Sequence, residues 1–351
     1  MKILFIGDSD GAERILAPVL RERGHIVDCI GTVASRPEFQ LMKRPGILGS
    51  SRYLYDIMKM LPAMRGYDAV QLGSHMFFDL KPGRLSYLVR ELGKYNRALY
   101  LSAWHPGYFF AEACVRRELF RFSPYRTGSY KSVLAKCNPE AEYDAMQNAW
   151  RDYERFLVSQ MAGVMALSPE MEIALRPVVP EILHSVPFPV EKPSCYAAAD
   201  TSGKVPLVVP GSRLTDLKEG RDSLRRMAHE LVSELPEYCV LGDAQSDRTG
   251  IWFDSLCRYS PSTEALAAMS RGMTVVTGCQ PEYIVFTGAE KEPPVICGAP
   301  GREVEIKKRL RTLICSPEER ASLSVAGAGF VRKYHSAEAA AVAFEQLWEI
   351  V

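Results

Sequence analysis

Arg213 and Lys218 stand in the loop Pro210-Gly211-Ser212-Arg213 to Lys218-Glu219-Gly220, directly after the apolar run Val205–Val209. Two cations on a Gly- and Ser-containing loop can neutralise a diphosphate. A guanidinium bonds two oxygens at once, and an ammonium acts as a compact point charge. Solvated surface charge is the other reading of the same pair. Ser262, Thr263 and Glu264 precede the Ala-rich segment Ala265–Ser270, which Gly272 stops. Their hydroxyls can cap a helix and leave its other N-terminal N–H groups for a phosphate. Glu264 can accept from ribose hydroxyls, or simply favour the positive end of its own helix.

A third segment, Gly7-Asp8-Ser9-Asp10-Gly11-Ala12-Glu13-Arg14, joins an apolar run to a helical pattern. Gly11 lets the backbone approach a ligand closely, with Asp10 beside it, although an ordinary strand–helix turn would read the same. Gly-x-Gly-x-x-Gly is missing, which argues against a nicotinamide or flavin cofactor. His75 (in Gly73-Ser74-His75) and His105 (in Trp104-His105-Pro106-Gly107) follow apolar runs. Each is placed to bind a hydroxyl or act as a base, or else is structural. The spacing of His, Asp and Glu gives no metal site, and neither a P-loop nor a nucleophile elbow occurs. Arg116–Lys136 carries six cations against Glu118, interleaved with Phe120, Phe122, Tyr125 and Tyr130. That mixture can grip an anionic membrane or a lipid-linked acceptor. Without a nucleic-acid motif, nucleic acid is not expected as a partner.

The elements that carry these loops alternate. Lys2–Gly7, His25–Ile30, Tyr67–Leu72, Arg97–Leu101 and Met161–Leu167 read as strands, with Ala12–Arg23 helical between the first two. Ser168-Pro169-Glu170 is a helix start, with Ser168 as N-cap. Pro187–Lys204, rich in proline and small polar residues, reads as a break between domains. Val205–Val209, Tyr238–Leu241 and Thr274–Thr277 are strands of a second unit. Asp222–Leu235, Glu264–Arg271, Val304–Ile314 and Pro317–Tyr334 are its helices, and a last helix runs from His335-Ser336 to Val351. The expected organisation is a domain over 1–190, a linker over 191–204, a domain over 205–334 and a terminal helix over 335–351. Alternating strands and helices predict parallel, doubly wound sheets, whose ligands bind outside the carboxyl ends of the strands.

The chain has 351 residues, 47% of them apolar and 24% charged, with no run long enough to span a membrane. Its start reads as a strand rather than a signal peptide. Nine scattered cysteines without a Cys-x-x-Cys pair point to a reducing, cytoplasmic setting, with Cys29, Cys239, Cys279 and Cys297 as buried thiols. The net charge of +1 hides an asymmetry: residues 1–136 hold 21 Lys and Arg against 12 Asp and Glu, and the remainder holds 22 against 30. A basic front half suits an acidic partner, at the inner membrane face for example.

In this order the segments resemble the group-1 family of retaining glycosyltransferases, whose GT-B architecture sets two Rossmann-like domains face to face across a cleft. Asp10-Gly11-Ala12-Glu13-Arg14 with Leu20-Arg21-Glu22-Arg23-Gly24-His25 looks like that family's first loop and helix. Ala166-Leu167-Ser168-Pro169-Glu170, Pro187-Phe188-Pro189-Val190, Arg213 with Lys218-Glu219-Gly220, Ala267–Val276, Gln280-Pro281-Glu282 and Tyr334-His335-Ser336-Ala337-Glu338 look like its later segments. The sequence departs from the family at its two glutamates eight positions apart, which fall here on Tyr259 and Ala267; Glu264 lies one turn before Ala267 on the same face. The resemblance implies transfer of a sugar, with retention and without a metal, from a nucleotide-diphosphate sugar (UDP- or GDP-linked) to a glycan or lipid-linked acceptor, as in bacterial polysaccharide or glycan assembly. No further cofactor is implied. It gives the diphosphate to Arg213, Lys218, Ser262 and Thr263, the ribose to Glu264, and the donor sugar to Gln280 and Glu282. His105 and Glu282 would be catalytic, with Asp10, Gly11 and His75 on the acceptor side and the terminal helix packing back on the first domain. A non-catalytic scaffold subunit and a nucleotide-sugar 2-epimerase are the alternatives on the same architecture.

Overall fold

A computed structural model of the protein describes residues 1–32, 34–43, 46–115, 119–123, 148–193, 203–211, 220–244 and 249–349. Arg213 and Lys218 lie outside them, as does most of Arg116–Lys136 and of the expected linker.

The first sheet is built from β1 (Lys2–Ile6), β2 (Ile26–Ile30), β3 (Ala69–Leu72), β4 (Ala98–Ala103), β5 (Gly163–Ala166) and β6 (Leu183–Ser185), in the order β2-β1-β3-β4-β5-β6. Every described pairing in it is parallel. β1, β3, β4 and β5 are buried along almost their whole length, because helices cover both faces. Those helices are α1 (Ala12–Glu22), α2 (Gly46–Met60), α3 (Pro82–Tyr95), α4 (Tyr108–Val115), α5 (Ala149–Ser159) and α6 (Pro169–Leu175). Ser168 caps α6 as its sequence predicts, its hydroxyl accepting from the Met171 N–H at 3.3 Å.

The second sheet holds β7 (Val205–Val208), β8 (Cys239–Gly242), β9 (Ile251–Phe253), β10 (Thr274–Gly278) and β11 (Ile296–Gly298), ordered β11-β10-β9-β7-β8 and again parallel. Its helices are α7 (Arg221–Glu234), α8 (Thr263–Ser270), α9 (Pro281–Thr287), α10 (Glu303–Ile314) and α11 (Pro317–Tyr334). Leu207, Leu224, Leu231, Ile251, Phe253, Val276 and Leu310 meet in its core. The sequence reading leaves no strand between Leu241 and Pro261, yet β9 is the central strand. Its three residues are too few to show a period, and eight residues, 243–250, separate it from β8. That is shorter than the dozen or so of an ordinary helical crossover.

The chain divides into two compact units: Met1–Phe110 with Tyr143–Pro189 and Ala337–Val351, and Ala111–Glu142 with Val190–Ser336. The last helix, α12 (Ala337–Glu349), belongs to the first. Trp348 is buried against Phe5, Tyr100 and Phe344, and its Nε1 donates to Gln71 Oε1 at 3.4 Å. Glu345 receives Arg23 through two bonds of 2.7 and 2.6 Å, and His25 Nε2 lies 2.8 Å away. In the second unit the Val190 N–H donates to the His335 carbonyl at 2.7 Å, and Val190 and Ser336 form an isolated parallel bridge. Among the described residues no helix is long and apolar enough to cross a membrane.

Candidate functional site

In each sheet the strand order reverses beside the first strand, between β1 and β3 and between β7 and β9. Parallel sheets open a crevice at the carboxyl ends of such strands. Those singled-out residues that are described lie at these two edges, and each edge is taken by itself as a candidate site.

At the first edge, Gly7 to Gly11 leave β1 in a tight turn. Asp10 sits at φ 49° and Gly11 at φ 98°, the left-handed region that L side chains rarely adopt. This turn is aimed by a buried polar chain. The Ser9 N–H donates to Glu13 Oε2 at 2.5 Å, Ser9 Oγ reaches both the Gly73 carbonyl and Glu13 Oε1, and Glu13 also bonds Ser102. Ser102 Oγ accepts from Gln71 Nε2 at 2.9 Å, and Gln71 accepts from Trp348. Burial pushes the Glu13 carboxyl up to about 7, against the opposing bonds from Ser102 and Ser9. Hydrogen counting agrees. Ser9 owns one hydroxyl hydrogen, the Gly73 carbonyl can only accept, and so the contact with Oε1 is satisfied when Glu13 carries the proton.

Asp10 and His105 are brought together. Trp104 Nε1 donates to Asp10 Oδ2 at 2.6 Å, and His105 Nε2 lies 3.9 Å from Asp10 Oδ1, both side chains open to solvent in part. His75 is placed differently from His105. It is buried, edge-on to Trp150, with its Nε2 4.0 Å from Glu154 Oε1. Burial, and then the charge of His105, lower it to about 4, so it is neutral at physiological pH. Glu154, on α5, accepts from the Tyr108 and Phe109 N–H groups at 2.6 and 3.4 Å and so caps α4; burial lifts it to about 7. His75, His105, Ser102 and Glu154 line a cavity of about 30 Å³, closed by Phe109, Phe110 and Leu157. That is room for about one water molecule with polar partners.

Gly107 fits only because it lacks a side chain: a Cβ there would meet Glu154 Oε1 at 2.6 Å. Gly107→Ala is therefore expected to cost about 1–3 kcal/mol of stability, by displacing the carboxyl that caps α4. Urea denaturation measures it; a change within about 0.5 kcal/mol would mean that the loop yields instead.

At the second edge the organising residue is one that sequence reading missed. Asp254 directly follows β9 and is 0% exposed. Its Oδ1 accepts from Ser262 Oγ at 2.6 Å and Arg221 Nη2 at 3.3 Å. Its Oδ2 accepts from Thr277 Oγ1 at 2.6 Å and the Ser262 N–H at 3.1 Å, and its carbonyl takes Arg221 Nε at 2.6 Å. This ties the starts of α7 and α8 and the end of β10 to one point. The signal was present in sequence as an acid closing the apolar triplet Ile251-Trp252-Phe253. Ser262 is spent within this network, since its Oγ also accepts the Ala265 N–H at 3.1 Å and caps α8. The N–H groups of Thr263 and Glu264, in the first turn of α8, have no partner within the helix by helix geometry. Glu264 is exposed, 3.7 Å from the buried Arg221 guanidinium.

Gln280 and Glu282 follow β10 on the same edge. Gln280 Nε2 donates to the Gly298 carbonyl at 3.2 Å. Glu282 pairs with Arg121 at 2.7 Å, so this cation of the basic stretch is turned onto the second unit's own edge. The Arg121 N–H donates to the Tyr259 hydroxyl at 2.7 Å, while Phe120 and Phe122 pack on the Tyr259 ring at 5.6 and 4.8 Å between centroids. The position corresponding to the resembled family's first glutamate is thus a buried aromatic under an aromatic cover. Among the described residues no three His, Cys, Asp or Glu side chains are grouped to hold a metal ion.

No protein-family model matches the chain, and no curated protein matches its sequence. Solved structures do match. Sucrose-phosphate synthase from Thermosynechococcus elongatus has a TM-score of 0.59 at 14% identity, over 99% of this chain and 98% of that one. HepE from Anabaena, solved in complex with UDP and glucose, gives 0.59 at 13% identity over 100% of both chains. The apo lipopolysaccharide outer core galactosyltransferase WaaB gives 0.53 at 12% identity over 99% of both. At such identities the likeness is one of fold, and the fold is the pair of Rossmann-like units of GT-B glycosyltransferases.

Proposed function

We propose that the protein is a metal-independent glycosyltransferase of the retaining, group-1 kind, taking a sugar from UDP-linked donor to an acceptor hydroxyl. The observation that carries this reading is the second edge. There a fully buried Asp254 fixes the start of α8, Gln280 and Glu282 follow the neighbouring strand β10, and in the sequence Arg213 and Lys218 come shortly after β7. A diphosphate leaving group needs this kind of preorganised donor field and no proton of its own. HepE's complexes with UDP-glucose and with UDP and glucose support the choice of uridine over guanosine.

In this scheme Arg213, Lys218 and the start of α8 hold the diphosphate, Glu264 the ribose, and Gln280 and Glu282 the donor sugar. Donor binding competes with Arg121 for Glu282. His105, oriented beside Asp10, positions the acceptor hydroxyl. The acceptor is a glycan or lipid-linked glycan of bacterial polysaccharide assembly, and the basic stretch 116–136 brings the protein to an anionic cytoplasmic membrane face. The domain plan proposed with this reading is 1–190, 191–204, 205–334 and 335–351.

Thermal unfolding with millimolar UDP, GDP, ADP or CMP, with and without magnesium, tests it. A nucleotide at 100 times its dissociation constant stabilises by about 2.7 kcal/mol. UDP is expected to give the largest shift, unchanged by magnesium and lost in Arg213→Ala and Lys218→Ala. No shift with any nucleotide would end the reading. Tyr259 and Ala267, standing where the family carries its glutamates, favour a second reading: a nucleotide-binding scaffold without turnover. UDP binding with no release of UDP from UDP-glucose across an acceptor panel would select it.

A further inference from the structure

Cys279 and Cys297 read in sequence as buried fillers, and the structure corrects this. Cys239 is buried, but Cys279 and Cys297 are partly exposed, as is Cys29. They also come from neighbouring strands. β10 and β11 run in parallel with Thr277 opposite Cys297 and Gly278 opposite Gly298. The chain leaves β10 at Cys279 and turns into α9, which brings the Cys279 carbonyl within 2.9 Å of Cys297 Sγ. Gln280 Nε2 lies 3.8 Å from the same sulfur. The two thiols also hydrogen-bond each other, and they share their protons unequally. Protonated, Cys297 donates to the Cys279 carbonyl. Deprotonated, it accepts from the Cys279 thiol and from the Cys279 backbone, which together push it down to about 7, while Cys279 is pushed up by its bond to Cys297 and by burial. A nucleophilic thiolate with a second thiol in contact is the arrangement for disulfide exchange. Buried Cys114, Cys239 and Cys257 lack such access, and exposed Cys315 lies apart on the loop between α10 and α11.

We propose that Cys279 and Cys297 form a reversible dithiol–disulfide modification site, closed by a low-molecular-weight disulfide such as oxidised glutathione. The Cys297 thiolate attacks one sulfur of the oxidant, forming a mixed disulfide and expelling one thiolate. The Cys279 thiol then gives up its proton and attacks the Cys297 sulfur, expelling the second. Two protein thiols lose two hydrogens in all, and the oxidant is reduced to two thiols. Closure stitches the Cys279–Glu282 turn to β11. Its effect on donor binding rests on the reading of Gln280 and Glu282 as donor contacts.

Graded oxidised glutathione followed by non-reducing peptide mapping tests the site on the whole chain. The earliest linkage is expected between Cys279 and Cys297, reversed by dithiothreitol. Cys279→Ser is expected to trap glutathione on Cys297, and Cys297→Ser to leave Cys279 unmodified at the same dose. Glutathione accumulating first on Cys315 or Cys29, with no 279–297 link, overturns the site. The UDP thermal shift is then compared between reduced and linked protein. A smaller shift in the linked form is expected, and an equal shift overturns the coupling to donor binding. No UDP shift in the reduced protein counts against the nucleotide reading alone, because the peptide map decides the linkage without it.

Discussion

Asp254→Ala is expected to destabilise the second unit by about 3–5 kcal/mol, the range for breaking a buried charged pair from one side. The loss has several parts. Arg221, itself buried, keeps its charge and loses the carboxylate, and the Thr277 and Ser262 hydroxyls and the Ser262 N–H are left without their acceptor. Each unsatisfied buried donor adds about 1–3 kcal/mol before the surroundings relax. The damage falls at the start of α8, so nucleotide binding should fail in conditions where the variant is still folded. Asp254→Asn keeps the shape but offers one acceptor oxygen where two are used, and should fall between Ala and the native residue. Urea denaturation of the three proteins, with and without UDP, gives the comparison. A cost below about 1 kcal/mol for the alanine variant would show that the edge is held by packing alone.

The second large effect is a pH dependence. Glu13 in the folded protein titrates near 7, above its ordinary value of 4.5. A carboxyl raised by folding takes up a proton that the unfolded chain has already released between those two values. Stability therefore falls as pH climbs from about 4.5 to 7, and the full penalty, about 3 kcal/mol for such a shift, is present above 7. Glu154 acts in the same direction. His75, lowered to about 4, acts in the opposite one, adding stability as pH rises from about 4 to 6.5. Total stability thus mixes three titrations, and the difference between wild type and Glu13→Gln isolates one. Glutamine keeps an acceptor for the Ser9 N–H and supplies the hydrogen that protonated Glu13 gives to Ser9. The variant should gain on the wild type steadily across pH 4.5 to 7 and hold a constant lead above it. A difference that stays flat with pH would mean that Glu13 is ionised in the folded protein throughout.

The sheets were legible in the sequence because their strands are short apolar runs bounded by glycine and polar turns. Lys2–Ile6 and Thr274–Gly278 fall within a residue of expectation. The loops were legible for the same reason, since a parallel sheet sends the end of each strand to one edge, and Asp10 with His105, or Ser262 with Gln280, follow their strands there. What stayed hidden was the partner of each loop residue. Glu13 reads as a helix-start acid and Glu154 as one polar position in a helical period, and nothing local says that either is buried. Asp254 was missed with its strand. The contact of Arg121 with Glu282 joins positions 161 apart, which no spacing rule spans.

The first unit's sheet is completed by Trp348, on the last helix, through Gln71 and Ser102 to Glu13. On a ribosome this fixes an order of events. The chain from Val190 to Ser336 emerges as one stretch and can build the second sheet as it appears. The first sheet, although made earlier, keeps a bare face over Phe5 and Tyr100 until α12 is translated. At about 5–20 residues per second the wait for those roughly 150 residues is on the order of 10–30 s. The half of the molecule synthesised first is the half that finishes last, and for that interval its apolar surface is within reach of chaperones.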